Sequence, residues 1–177
     1  MSKTSKSPRK VLEVALRTAQ QSLPEYSHEF SPRKFMQHQL FACLVLKSFL
    51  KTDYRGVREH LNECASLQEA IVLTKVPHFT TLQKAARSLL KRRDVDHLIG
   101  STLKLAMGRK KTVKLAAIDS TGLQARHCSS YYVKRRSREQ NLWQTTSDAR
   151  FPKVGIVCDV SHHLILAAQA SHANQVE

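Results

Sequence analysis

Apolar residues in the first half of the chain recur every three to four positions, which is the spacing of amphipathic helices. Pro24, Pro77 and Gly108 interrupt this pattern. Ser31 and Pro32 offer an N-cap and a first helical position for the second segment. The pattern therefore predicts a basic arm over residues 1–10, followed by six helices over residues 11–22, 31–50, 54–61, 66–73, 78–90 and 95–106.

The fifth predicted helix combines an apolar side with a basic side. Thr80 or Thr81 can cap its N-terminus. Its apolar side would hold Leu82, Ala85, Ala86, Leu89 and Leu90, and its outer side would hold Gln83, Lys84, Arg87 and Arg92. A recognition helix of a helix-turn-helix protein is built in this way, because its polar and basic residues meet base edges and phosphates. An ordinary amphipathic helix with a solvated basic face has the same pattern, so both interpretations stay open.

Three short apolar runs predict β-strands after Gly108, over residues 113–119, 153–158 and 163–168. The first run ends on the carboxylate of Asp119, and a polar, basic stretch over residues 122–150 predicts a loop or a short helix. Four residues join the last two runs, which predicts an antiparallel hairpin. Asp159 lies in this connection, where an aspartate commonly stabilises a turn. The predicted fold class is therefore α+β, with the helices first.

The charge balance indicates a polyanionic partner. The 177 residues contain 29 Lys and Arg against 14 Asp and Glu, which gives a net charge of +15 and a pI near 10.1. A positive surface attracts DNA or RNA because it neutralises phosphates and releases counterions, although ribosomal and membrane-surface proteins share this composition. A hydrophobic fraction of 41% predicts a folded chain. Because the sequence has neither a long apolar run nor a signal peptide, we expect a cytoplasmic protein without a membrane partner.

Several other residue groups have weaker claims to a function. The four cysteines, Cys43, Cys64, Cys128 and Cys158, include no C-x-x-C pair and are interpreted as free thiols. A zinc site would have to use His127, Cys128, Cys158, His162 and His163, whose spacing matches no compact motif. Tyr131 or Tyr132 could act as a nucleophile. We favour instead contacts to DNA from Tyr132, Arg135 and Arg136, or packing under the loop. Trp143 is interpreted as a packing residue.

The most specific feature is a resemblance to a known family. The stretch Ala117-Ile118-Asp119-Ser120-Thr121-Gly122-Leu123, followed by His127, Ser129, Tyr131, Tyr132 and Arg135, resembles the first-strand motif of insertion-sequence DDE transposases. Phe151-Pro152-Lys153, Val157-Cys158-Asp159 and His163-Leu164-Ile165-Leu166 resemble the second and third strands of the same family. The resemblance covers about residues 76–170 and implies the first three strands of a ribonuclease H-like domain.

The resemblance also implies metal-dependent phosphodiester chemistry. In that family three carboxylates hold two Mg²⁺ or Mn²⁺ ions, which activate water or a DNA 3′-hydroxyl for attack on a phosphate. Asp119 matches the first of these metal ligands and would be the catalytic carboxylate of this chain. Family members supply the other Asp and the Glu well past the third strand, and neither Asp159 nor Glu177 is a convincing replacement. We therefore expect a truncated copy that binds no metal ion and cleaves no DNA alone.

The sequence as a whole predicts a helical DNA-binding region over residues 1–110 and a truncated ribonuclease H-like transposase domain over residues 111–177. The expected partners are DNA at transposon ends and either a second copy or an intact transposase, because three strands alone would leave an unpaired edge. The alternative is a non-enzymatic DNA-binding protein that occupies transposon ends or inhibits an intact transposase. A third interpretation, an RNA-binding protein, would require a preference for RNA over duplex DNA.

Overall fold

The computed structural model describes residues 6–30, 32–89, 92–108, 112–122 and 153–171, without the side chains of residues 92–94, 121, 122 and 171. The chain divides into two compact units, Met1–Gly108 and Arg109–Glu177. Six helices come first and a three-stranded antiparallel sheet follows, so the predicted α+β class is confirmed at that level. None of the described helices combines the length and the apolar character that a bilayer crossing requires.

The six helices are α1 (Pro8–Ser22), α2 (Gln37–Phe49), α3 (Tyr54–Glu63), α4 (Ala65–Ala70), α5 (Phe79–Leu89) and α6 (Arg92–Met107). Local side chains fix several of their ends. The Asp53 carboxylate accepts a hydrogen bond from the backbone N–H of Gly56, 2.6 Å away, and so caps α3. Gly108 follows α6 with a φ of +63°, a conformation that glycine adopts without steric penalty and that ends many helices.

Several predicted helix boundaries are wrong, and three of them have a visible cause. Ser7 caps α1 and Pro8 begins it, so the predicted basic arm is shorter at its C-terminal end. The second helix begins at Gln37 rather than at Ser31-Pro32, because the Gln39 side chain accepts a hydrogen bond from the Met36 N–H and thereby satisfies the new end. The fourth helix ends at Ala70 instead of near residue 73, since the backbone turns to a positive φ at Val72.

The core of the helical unit lies between α1, α2 and the helices that pack on them. It is made almost entirely of leucine, alanine and other aliphatic residues: Leu12, Ala15, Ala19, Leu23, Ala42, Leu44, Leu46, Val57, Leu61, Leu67, Ile71, Leu73, Leu82, Ala85, Leu89 and Leu98, with Cys43. Two buried polar side chains, Gln39 and His38, are bonded to backbone carbonyls. Gln39 donates to Ile71 and Val72 at 3.2 and 2.8 Å, and a ring nitrogen of His38 lies 2.8 Å from the Leu23 oxygen. Burial of these polar groups is therefore compensated.

The sheet has the order β1-β2-β3, with β1 at Ala116–Gly122, β2 at Lys153–Asp159 and β3 at Leu164–Ser171. Both neighbouring pairs are antiparallel, and the predicted hairpin between β2 and β3 is confirmed. The first strand differs from the prediction, because it begins at Ala116 and continues to Gly122. The ladder with β2 sets these limits, and it pairs Asp119 with Ile156 in the middle of the strand.

Candidate functional site

Helix α5 presents its polar side chains on one side. Gln83, Lys84 and Arg87 are exposed, whereas its apolar side chains are buried against the core at Leu82, Ala85 and Leu89. With about 100° of rotation per residue, the three polar positions and Thr80 fall within an arc of roughly 100°. The helix contains no acidic residue, so this surface, which we call the α5 face, carries the charge of one lysine and one arginine.

The fourth residue predicted on this face lies elsewhere. Arg92 is the first residue of α6 and therefore belongs to the next helix. Leu90 and the side chain of Arg92 lie outside the described residues, as do Tyr132, Arg135 and Arg136. Of the predicted DNA contacts, the structure thus brings together Gln83, Lys84 and Arg87.

His78, rather than Thr80 or Thr81, caps the N-terminus of α5. Its Nδ1 accepts a hydrogen bond from the Thr80 backbone N–H at 3.4 Å and lies 2.8 Å from Thr80 Oγ1. Its carbonyl oxygen accepts from the Thr81 and Leu82 N–H groups. The prediction of a threonine cap was wrong because a histidine just before the helix can supply the same acceptor. The Thr80 side chain is consequently already engaged at the end of the α5 face.

One basic residue near the α5 face was missed by the sequence analysis. The Arg55 guanidinium of α3 lies 4.7 Å from the centroid of the Phe79 ring, and the His78 ring lies 4.1 Å from the same ring. This cation–π contact places an exposed arginine beside the first turn of α5. Sequence spacing could not reveal the contact, because Arg55 and Phe79 are 24 positions apart in the chain and lie on different helices. Arg55 therefore adds a positive charge beside the first turn of the helix that carries Lys84 and Arg87.

Asp119 is exposed at the centre of β1. Its Oδ1 accepts a hydrogen bond from the Ser120 N–H at 2.8 Å. Asp159 pairs with Ala116, three positions from Asp119 along β1, and side chains three apart on a strand point to opposite faces of the sheet. The described residues contain no group of three His, Cys, Asp or Glu that could hold a metal ion. They therefore do not fit a two-metal centre, whose ions need several carboxylates on one side of the sheet.

Asp159 instead organises the hairpin turn, as predicted, but from the last position of β2 rather than from within the connection. The residue is 1% exposed, and its carboxylate accepts a hydrogen bond from the Ser161 N–H at 2.9 Å and lies 2.5 Å from His162 Nδ1. The hydrogen bond from His162, helped by that from Ser161, holds the pKa of Asp159 below its usual range. The turn is closed further by the His163 N–H, which donates to the Asp159 carbonyl at 2.9 Å.

This arrangement predicts acid sensitivity of the sheet. An acid whose pKa is lowered by folding adds stability above its unfolded pKa of about 3.9, and that stability is lost as the pH falls through the folded value. Asp159→Asn should therefore lower the free energy of unfolding near neutral pH and have a smaller effect in acid. Urea unfolding of wild type and variant from neutral pH to below about pH 3.9 tests this. An equal difference between the two proteins at every pH would contradict it.

The described cysteines and histidines show no shared ligand site. Cys43, Cys64 and Cys158 are free thiols, as predicted, and burial raises the pKa of Cys43 to about 12. Cys43 is therefore a protonated core residue, because a thiol in an apolar environment resists ionisation. His127, Cys128 and Trp143 lie outside the described residues.

No protein-family model matches this chain, and neither a curated protein nor a solved structure is significantly similar to it.

Proposed function

We propose that this chain binds duplex DNA through the α5 face and belongs to the insertion-sequence DDE transposases, with β1 to β3 as the opening strands of a ribonuclease H-like domain. The observation that carries the DNA-binding part is the α5 face, where exposed Gln83, Lys84 and Arg87 share one side of a helix that has no acidic residue. Basic side chains at such a face would contact phosphates, while the side-chain amide of Gln83 can form hydrogen bonds with a base edge.

The surroundings of α5 support the same assignment. The face is anchored by buried Leu82, Ala85 and Leu89, so its side chains project from a helix that packs firmly on α2 and α3. Arg55 stands beside the first turn through its contact with Phe79. A rigid helix flanked by an arginine from a neighbouring helix suits a groove that is lined by phosphates on both sides.

The family part of the proposal rests on β1. Residues 117–122 of the motif that resembles the first strand of DDE transposases lie in an antiparallel three-stranded sheet, and Asp119 is exposed at the centre of that strand. An exposed carboxylate on a hydrogen-bonded strand is a suitable first ligand for a divalent cation, because the ladder fixes the backbone that carries it. One carboxylate is too few, since Mg²⁺ gives up water reluctantly and needs several oxygen ligands.

The proposal predicts DNA binding without cleavage by this chain. In a nicking assay with supercoiled plasmid and Mg²⁺ or Mn²⁺, wild type should leave the plasmid intact at protein concentrations that shift DNA. Asp119→Asn should bind DNA within about twofold of wild type, because it exchanges an exposed side chain on the sheet for one of nearly equal size.

The outcomes separate the candidate functions. Metal-dependent nicking that Asp119→Ala abolishes would show that the chain builds an active centre, and would refute the expected inactivity. Binding without nicking that protects one specific terminal sequence fits the proposal and equally fits a non-enzymatic protein at transposon ends. Inhibition of cleavage when the chain is mixed with an intact transposase would favour the non-enzymatic alternative. Preference for RNA over duplex DNA at matched salt would favour an RNA-binding protein, and absence of DNA binding at low salt would refute the proposal.

A further inference from the structure

A closed surface loop precedes α2. We call residues 25–37 the 25–37 loop; the structure describes it except for residue 31. Its two ends meet where the Gln37 N–H donates to the Glu25 carbonyl at 2.8 Å, and a His38 ring nitrogen lies 2.8 Å from the Leu23 carbonyl oxygen just before the loop. Compact loops of this length whose ends are joined are frequently functional. The two hydrogen bonds hold the loop in a defined position above the core.

A cavity of about 490 Å³ lies between this loop and α5. Its volume falls within the range of roughly 300–1,000 Å³ in which proteins commonly hold small organic groups. Tyr26 and Phe35 from the loop, with Leu40 and Leu89, give it apolar walls, and Lys34 and Lys84 add two ammonium groups. None of the described residues that line the cavity is acidic. An apolar slot bearing two cations suits a flat aromatic group attached to an anion.

A cation lies beside the aromatic wall of the cavity. The Arg33 guanidinium lies 6.0 Å from the centroid of the Tyr26 ring, within the range of a cation–π contact. The backbone of the adjacent turn is fixed by the Lys34 N–H, which donates to the Pro32 carbonyl at 2.8 Å. Glu25 and Glu29 are exposed acids of the same loop, but they do not line the cavity. The described groups at the cavity itself are therefore aromatic, aliphatic, uncharged polar and cationic.

Lys84 connects the cavity with the α5 face, because it lines the first and is exposed on the second. We infer that the cavity takes one unpaired nucleotide of a DNA strand that lies along the α5 face. Its base would stack on Tyr26 and its phosphate would meet Lys34 and Lys84. Stacking on an aromatic ring tolerates any base, and ammonium groups neutralise the backbone charge. The inference rests on the proposed DNA binding. It adds a site that fully paired DNA would leave empty.

The test compares three DNA duplexes of equal length by fluorescence anisotropy at one salt concentration. The first is fully paired, the second carries one extra unpaired adenine, and the third carries an abasic residue at that position, which keeps the bend and removes the base. Wild type should bind the adenine bulge about tenfold more tightly than the abasic bulge, since one stacked base contributes roughly that factor. Tyr26→Ala should abolish this preference, and Tyr26→Phe should retain it.

Two further variants separate the cavity from the α5 face. Lys34→Ala should weaken binding of the adenine bulge more than binding of the paired duplex. Arg87→Ala, which does not line the cavity, should weaken binding of all three duplexes by the same factor. Unchanged helical content and melting temperature of each variant, measured by circular dichroism, establish that it is folded. Equal binding of the three duplexes by wild type would overturn the inference and leave the proposed function standing, whereas binding of none would refute both.

Discussion

Leu12→Ala is expected to lower the free energy of unfolding of the helical unit by about 2–5 kcal/mol. Leu12 is fully buried on α1, the helix that packs against α2, α4 and α6. Removing the three outer carbons of its side chain loses their transfer free energy and leaves a void, because neighbouring elements are held by their own hydrogen bonds and relax only partly. Urea unfolding followed by far-ultraviolet circular dichroism would measure the change, since all six described helices lie in this unit.

Val14→Ala is the matched control for this prediction. Val14 lies on the same helix two positions away, and 52% of its surface is exposed. The substitution removes little buried area and replaces a β-branched residue by the best helix former, so the unfolding free energy should change by less than about 0.5 kcal/mol. A loss at Leu12 no larger than that at Val14 would show that α1 does not pack on the core in the way described.

The helical half of the fold could be predicted well from the sequence, because amphipathic periodicity is a local property. All six predicted segments contain a helix. The errors lie at helix ends, where a single side chain decides between competing starts. Ser31-Pro32 had the composition of a helix start, yet Gln39 and Met36 supply the hydrogen bond that fixes the end six residues later. Similarly, His78 took the capping role predicted for a threonine.

The strand that carries Asp119 shows where local patterns stop being informative. The apolar residues of this strand end at Ile118, so the pattern of strand-forming residues predicted that Asp119 ends the strand. Pairing with β2 extends the strand through Ser120, Thr121 and Gly122, although none of the three is apolar. Register is a property of two segments that are more than thirty residues apart, and it also decides that Asp159 and Asp119 face opposite sides of the sheet.

The candidate site also has one part that the sequence predicts and one part that it does not. The exposure of Gln83, Lys84 and Arg87 follows from the same periodicity that buries Leu82 and Leu89. The position of Arg55 beside Phe79, and the cavity between the 25–37 loop and α5, depend on contacts between elements that are distant in sequence. No spacing along the chain encodes them, and they became visible only in the packed helices.

The second large effect concerns the α5 face. Replacing both Lys84 and Arg87 by alanine should weaken binding to duplex DNA roughly 50-fold at about 0.1 M salt. Each phosphate contact releases about 0.9 of a counterion. The factor by which that contact raises the DNA-binding constant therefore grows about eightfold for each tenfold dilution of salt. The same counting predicts that the slope of log affinity against log salt concentration becomes shallower by about 2. Titrations between about 0.05 and 0.2 M salt would measure both quantities.

The double variant Arg17→Ala/Lys104→Ala supplies the control, because it removes one arginine and one lysine that are exposed on α1 and α6. It changes the net charge by the same amount and leaves α5 intact. If the α5 face contacts phosphates directly, the control should alter the salt slope by much less than the α5 variant. Equal effects of the two variants would mean that DNA responds to the overall positive charge of the chain, and α5 would lose its assignment as the contact surface.

Gln83→Ala tests whether the α5 face contacts bases as well as phosphates. A lost base contact weakens binding to one sequence and leaves binding to unrelated sequences unchanged.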